Sequence, residues 1–361
     1  MGLSKIILNI ALWFVNVFTF FIKQDSNRIT FISLTQDHLD NDFYLINQEL
    51  KKENKYKIDY NLIVFEKNAK GDFKYFLNCL KQLVEMKKSK LIILNDNNYV
   101  VSTHKPKNTK VLQVWHAPGA VKKFGNQIKR QYPVNNYDYV ICNAPYWKEP
   151  YSEAFGVRED QVYVTGFCRM DLLLNEEIQS KNCEAFYKKY PQCVNKRLIL
   201  YTPTFRGNII NGFKIDSIDF NQLDLDDNTI LLCKYHPLLQ EIQIDNEKVI
   251  NVTKDDLYTL MSVSDCMISD YSSVIFDYAL INKPMIGFVQ DYENYKETIG
   301  FNIDFKKDFP GPICTNEQEL NKVLKQDLKV YPSFQKKYVV YKDGKNTLRV
   351  KNLIDQIMKS E

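Results

Sequence analysis

Four short stretches of the chain carry side chains that could hold an anion and move a proton. In "VLQVWHAPGAVKKFG" (111–125) an apolar run ends at Trp115-His116, followed by a Pro118-Gly119 turn and the basic pair Lys122 and Lys123. An imidazole titrating near neutrality at a strand end is a suitable base for an acceptor hydroxyl. A structural histidine bonded to a loop carbonyl is the plain alternative. In "CKYHPLL" His236 follows a strand and precedes Pro237, which ends the strand and fixes the turn. There it can donate to a phosphate oxygen and stabilise charge on a departing group. "YTPTFRG" presents Arg206 in the same way, and its planar fork suits a diphosphate. A salt bridge capping the turn accounts for it equally well.

The fourth stretch, "SDCMISDYSSVIFDYALINKPMIGF" (264–288), reads as a buried strand, a polar corner and an apolar helix with Val274, Ile275, Tyr278 and Leu280 facing inward. Ser272 or Ser273 is then the N-cap, and the first-turn N–H groups, two hydroxyls and the positive end of the helix dipole make an anion cradle. A single serine there would be read as an ordinary cap. Two of them after a strand favour an anion.

These corners need elements to position them. Continuous apolar runs at 28–34, 59–66, 90–96, 109–116 and 137–144 read as strands, with helix-like stretches such as 73–89 between them and 162–174 closing the half. A second series follows at 196–205, 229–237, 249–253, 265–270 and 284–288. Strands that are apolar throughout and alternate with helices imply parallel sheets covered on both faces. The expected architecture is therefore α/β: a Rossmann-like domain over 27–185 and another over 186–361, with ligands in the cleft at the carboxyl ends of the strands. A length of 361 residues suits two cores.

Composition narrows the class. Hydrophobic residues make up 45% and charged residues 25%, with a net charge of +4, which excludes a disordered chain and a multi-span membrane protein and gives no reason to expect nucleic acid. Eight scattered cysteines without a CxxC pair read as reduced and buried, and the four histidines show no metal-ligand spacing. At the N-terminus "IILNIALWFVNVFTFFI" (6–22) would make about 25 Å of helix, short for a hydrocarbon core of about 30 Å. Asn9 and Asn16 lie seven apart on one face, with Trp13 and several Phe around the rest. Residues 1–26 are thus expected to form a membrane-associating helix lying in the interface, with packing on the first domain as the alternative.

Taken together, "WHAPGAVKKFG", "YTPTFR", "YHP" and "SDYSSVIFDYALINKPMIGFVQDYENY", in this order and at these separations, resemble the CDP-glycerol glycerophosphotransferases of teichoic acid synthesis in Gram-positive bacteria. "PGPI" (310–313) and "YKDGKNTLRV" (341–350) fit as well, so the resemblance runs from 110 to 355. It implies two domains of the GT-B kind that transfer glycerol phosphate from CDP-glycerol to a hydroxyl of a lipid-linked acceptor, releasing CMP. By matching motif, His116 resembles the catalytic base, and His236, Arg206, Ser272 and Ser273 resemble groups holding the donor diphosphate, His236 also serving catalysis. Asp277 is expected to orient that loop, and Lys122 and Gly119 to meet substrate. Neither a metal nor a cofactor is expected, because the cationic groups and the helix terminus would neutralise the diphosphate.

Polymerising members read Trp-His-Gly-Thr-Pro where this chain reads Trp115-His116-Ala117-Pro118-Gly119. That version is similar to the primase subgroup, which adds the first glycerol phosphate to an undecaprenyl-diphosphate-linked N-acetylmannosaminyl–N-acetylglucosamine disaccharide. Implied partners are CDP-glycerol, that acceptor and the cytoplasmic membrane surface; a homo-oligomer stays open. The rival readings are a second-step or polymerising glycerol or ribitol phosphotransferase, a nucleotide-sugar glycosyltransferase of the same fold, and a binding protein that kept the fold.

Overall fold

The computed structural model describes residues 3–66, 68–208, 212–215, 218–235 and 244–360. The chain forms two compact units. The first comprises Met1–His116, Phe124–Arg169 and Lys345–Glu361, the second Ala117–Lys123 and Met170–Gly344.

The first unit is built on strands β1 (Asp25–Ser33), β2 (Thr35–Gln36), β3 (Lys57–Val64), β4 (Ser89–Leu94), β5 (Lys110–Gln113), β6 (Tyr139–Cys142) and β7 (Val162–Val164) in the order β2-β3-β1-β4-β5-β6-β7. All neighbours run parallel except β2, which pairs antiparallel with β3. Successive residues of β1 and β4 are buried regardless of which face they point to, as helices on both faces require. The helices have local reasons to start where they do. Asn68 caps Ala69–Lys88 by accepting from Gly71 N at 2.7 Å, and Lys87 and Lys88 complement its last turn.

In the second unit β8 (Arg197–Thr202), β11 (Thr229–Cys233), β12 (Val249–Asn251), β13 (Cys266–Ser269), β14 (Met285–Phe288) and β15 (Ile313–Cys314) form a sheet ordered β12-β11-β8-β13-β14-β15, parallel throughout. A hairpin of β9 (Phe205–Asn208) and β10 (Gly212–Ile215) stands apart from it. Ile199, Leu231, Ile268, Ile286 and Leu320 anchor the core.

The expected boundary near residue 185 falls inside the second unit, and the last segment returns to the first. Its helix Asn346–Lys359 buries Val350, Leu353, Ile354 and Ile357, while Lys351 bonds Asp355 at 2.7 Å and also pairs with Glu53. Gly166 admits this helix: its φ is +76° and a Cβ there would come within 2.2 Å of Asn346 Oδ1. Amphipathic periodicity announces such a helix but not which sheet it will cover.

The N-terminal helix Leu3–Phe18 turns Leu8 and Leu12 into the first unit, with Asn9 Oδ1 accepting from Tyr99 OH at 2.7 Å and Asn16 O from Lys87 Nζ at 2.7 Å. The face carrying Leu8, Asn9 and Leu12 is therefore the docked one, while the Asn16 side chain is exposed. Ile6, Ile7, Ile10, Trp13, Phe14, Val17 and Phe18 remain exposed, as do Phe20 and Phe21 beyond the helix. Among the described residues no helix is long and apolar enough to cross a membrane. The eight cysteines form no disulfide, and seven of them are buried.

Candidate active site

Chains that leave a parallel strand for one neighbour and return to the other side open a crevice at the strands' carboxyl ends. In the first unit that switch lies between β1 and β4, in the second between β8 and β13. The two corners are closed alike. Asp96, two residues past β4, accepts from Leu34 N at 2.6 Å just past β1; Asp270, just past β13, accepts from Thr204 N at 2.9 Å just past β8.

In the first unit the base candidate stands beside this corner. Val114 N donates to Leu94 O at 2.7 Å, and the chain then turns through Trp115 with φ +47°, a conformation that a bulky side chain adopts only when its surroundings enforce it. Gln113, wholly buried, enforces it: its Oε1 accepts from Trp115 N at 2.9 Å, while its Nε2 donates to Asp96 O at 2.7 Å. The Trp115 ring packs on Phe124 and Phe155 and lies 3.9 Å from the imidazole of His116. His116 is exposed, and its Nδ1 lies 3.0 Å from Asn95 O. A carbonyl only accepts, so Nδ1 carries the hydrogen, and Nε2 of the neutral ring keeps the lone pair that a base needs.

In the second unit Arg206 is held by its own neighbours. Nε and Nη2 donate to Asp291 at 2.7 and 3.0 Å, Nη1 to Asp270 at 3.0 Å and to Thr204 O at 2.8 Å, and the guanidinium lies over the rings of Tyr295 and Tyr271. Burial opposes its charge, but the two carboxylates outweigh burial and hold it firmly protonated. Asp291 meets the same opposition from burial, and Arg206 prevails, keeping its carboxyl below the usual range. These contacts are those of the capping salt bridge.

Lys122 belongs to the second unit too: Asn302 Nδ2 donates to its carbonyl at 3.1 Å. Burial lowers its ammonium pKa, Asp270 acts to raise it, and Arg206 to lower it again. Gly119 lies in the same segment and is buried. Ser272 and Ser273 are half-buried at the start of the five-residue helix Val274–Tyr278. Ser273 occupies the N-cap position but makes no side-chain cap bond; the Ser272 hydroxyl accepts from Val274 N at 3.4 Å. Asp277 is buried and accepts from Tyr258 OH at 2.7 Å, and Val274 is half-buried where it was expected to face inward. His236 lies outside the described residues. The stem leading to it is fixed by Tyr235 N donating to Thr253 Oγ1 at 3.1 Å and by Lys234 Nζ donating to Asp255 O at 2.6 Å.

Sequence reasoning passed over Asp96, Gln113, Asp270 and Asp291. Asp270 flanks the serine pair and carried a signal in its position; the others acquire a partner only through pairing of strands distant in sequence.

Two doubly wound sheets with a polar clasp at each switch point define an α/β protein of two nucleotide-binding-type units. The chain belongs to the CDP-Glycerol:Poly(glycerophosphate) glycerophosphotransferase family, whose sequence model matches residues 14–356. It is accordingly a transferase of teichoic acid synthesis. It is 29% identical over 360 residues to the teichoic acid ribitol-phosphate primase of Bacillus spizizenii, covering 92% of both chains. It is 27% identical to the teichoic acid glycerol-phosphate primase of Bacillus subtilis, covering 78% of this chain and 77% of that one. A solved structure of the wall teichoic acid polymerase TagF superimposes with a TM-score of 0.73 at 24% identity, over 93% of this chain and 90% of that one.

Proposed function

We propose that this chain transfers an alditol phosphate from its CDP ester to a hydroxyl of a polyprenyl-diphosphate-linked disaccharide, releasing CMP, with glycerol phosphate as the group transferred in the first such step. The observation that carries the reading is the Trp115-His116 corner: a histidine exposed at a strand's carboxyl end, its Nδ1 occupied by Asn95 O, on a backbone held at positive φ. The acceptor hydroxyl attacks the β-phosphorus in line and gives its proton to Nε2 of His116. The bond from that phosphorus to the oxygen bridging to CMP breaks, and CMP leaves with the electron pair.

The second unit contributes the donor's contacts. The hydroxyls of Ser272 and Ser273 and the ammonium of Lys122 supply hydrogen bonds and positive charge to the diphosphate, and such donors are worth a few kcal/mol each in the transition state; His236, by its motif, is assigned to the same task. Arg206 acts by fixing Asp270 and Asp291, and so the serine corner. Asp277 fixes the same helix through Tyr258. The outward apolar face of Leu3–Phe18 rests on the cytoplasmic membrane surface, where a polyprenyl acceptor is found.

A second reading, ribitol phosphate as the transferred group, is favoured by the match that spans 92% of both chains. Incubating the protein and a lipid-linked disaccharide with CDP-glycerol, CDP-ribitol or UDP-sugars in turn decides among these. CMP release with an alditol donor supports the proposal, and UDP release alone refutes it.

A further inference from the structure

The two switch-point aspartates are bonded alike but charged differently. Asp270 has Arg206. Among the described residues the groups acting on Asp96 are its own burial and the donors Leu34 N and Ser33 Oγ, with no cation, and burial raises its carboxyl to about 7. Its second oxygen, Oδ1, is buried without a hydrogen-bond partner among the described residues. The same corner holds three further buried polar atoms in that condition: Asn95 Oδ1, Asn97 Oδ1 and Gln36 Nε2, the last two residues being tied in through Asn95 Nδ2 donating to Gln36 Oε1 at 3.0 Å and Tyr132 OH donating to Asn97 O at 3.4 Å. Asp96 is 6% exposed and Asn95 9%. Each such group costs stability unless a ligand satisfies it, so four at one corner call for a partner.

The chemistry selects the partner. Three acceptor oxygens, one of them a carboxylate, repel phosphate. A hard cation would have a single carboxylate and would face the amide N–H₂ of Gln36, which opposes it. A sugar, whose hydroxyls donate and accept, satisfies all four. Position agrees, since Asn95 also offers the carbonyl that holds His116.

We propose that Gln36, Asn95, Asp96 and Asn97 seat the sugar hydroxyls of the acceptor beside His116, with Asp96 Oδ1 receiving one of them. The inference rests on the phosphotransferase reading above. Its test uses the full chain and a soluble acceptor, the disaccharide on a short alkyl diphosphate, with donor and acceptor varied separately in wild type, Asp96→Asn and Gln36→Ala. Acceptor KM is expected to rise at least tenfold in both variants, with the KM for the CDP-alditol within twofold of wild type and melting temperatures no lower. Acceptor KM within twofold in Gln36→Ala, the less buried position, overturns the inference, as does an equal rise of both KM values or rescue of either variant by Mg²⁺ or Ca²⁺. If wild type releases no CMP from either alditol donor, the phosphotransferase reading fails separately. Saturation-transfer NMR with the same acceptor then still judges this site: binding to wild type and not to the variants supports it, and equal binding overturns it.

Discussion

A buried carboxylate on which no cation among the described residues acts makes Asp96→Asn a stabilising change with a defined pH dependence. In the folded protein Asp96 titrates at about 7, against 3.8 for an ordinary aspartate. A raised acid holds its proton more tightly when folded, so its contribution to stability is complete below pH 3.8, drains away as pH rises and is lost above about 7. Asparagine carries no such dependence. Its amide oxygen keeps the Leu34 N–H bond, and its N–H₂ takes the place of the unpartnered oxygen. The advantage of the variant should therefore be near zero at pH 4 and grow to a plateau above pH 7. At 1.36 kcal/mol per pH unit over a gap of roughly three units, the ceiling is about 4 kcal/mol. Urea denaturation read by tryptophan fluorescence measures it in the right place, because all three tryptophans, Trp13, Trp115 and Trp147, belong to the first unit. Working with the difference between variant and wild type cancels the other titrating groups. A variant weaker than wild type at pH 8, or an advantage that does not change with pH, would refute the account of Asp96 as an uncompensated buried charge.

Replacing His116 by Ala should lower turnover by about 10²–10⁴ while calorimetry finds CDP-alditol binding unchanged; a variant that keeps most of its turnover removes His116 as the base. Gln113→Ala takes away the acceptor that holds Trp115 N and the donor to Asp96 O, so kcat should fall together with a stability loss of about 1–3 kcal/mol, and an unchanged kcat would separate the strained corner from catalysis. Arg206→Met removes the principal counter-charge of the buried Asp270 and the half-buried Asp291 and should cost about 3–5 kcal/mol in denaturation of the second unit. If it instead raises the donor KM at unchanged stability, Arg206 grips the diphosphate directly. Phe18, Phe20 and Phe21 are 70%, 82% and 69% exposed. Each is worth about 1.5–3 kcal/mol when fully buried, so changing all three to Ser should lower partitioning onto anionic vesicles at least a hundredfold in flotation assays, and unchanged flotation would show that this face does not meet lipid.

The sequence by itself determined the α/β class, the positions of the main strands and the two corners where chemistry was sought, since apolar runs of strand length and residues such as His116 or the Ser272-Ser273 pair are local signals. It also determined that the first helix has an apolar aromatic face and a face marked by Asn9 and Asn16. Which face docks was settled by tertiary structure, where Leu8 and Leu12 are buried and Tyr99 reaches the Asn9 side chain. The short β2, the β9–β10 hairpin and the pairing of β15 were likewise hidden, being too brief for periodicity to register. The return of Asn346–Lys359 to the first unit had no local cue either. The roles of Arg206, Asp96 and Gln113 depended on tertiary structure most of all. An arginine after a strand reads the same whether it meets phosphate or carboxylate, and Asp291, which binds it, lies 85 residues away in the chain. Nothing in "NDNN" indicates a buried acid either; Asp96 becomes one only because β1 and β4 pair side by side and carry Leu34 N to its carboxylate, with burial raising its pKa. Local propensity is written residue by residue, whereas desolvation and charge compensation depend on which distant strands become neighbours.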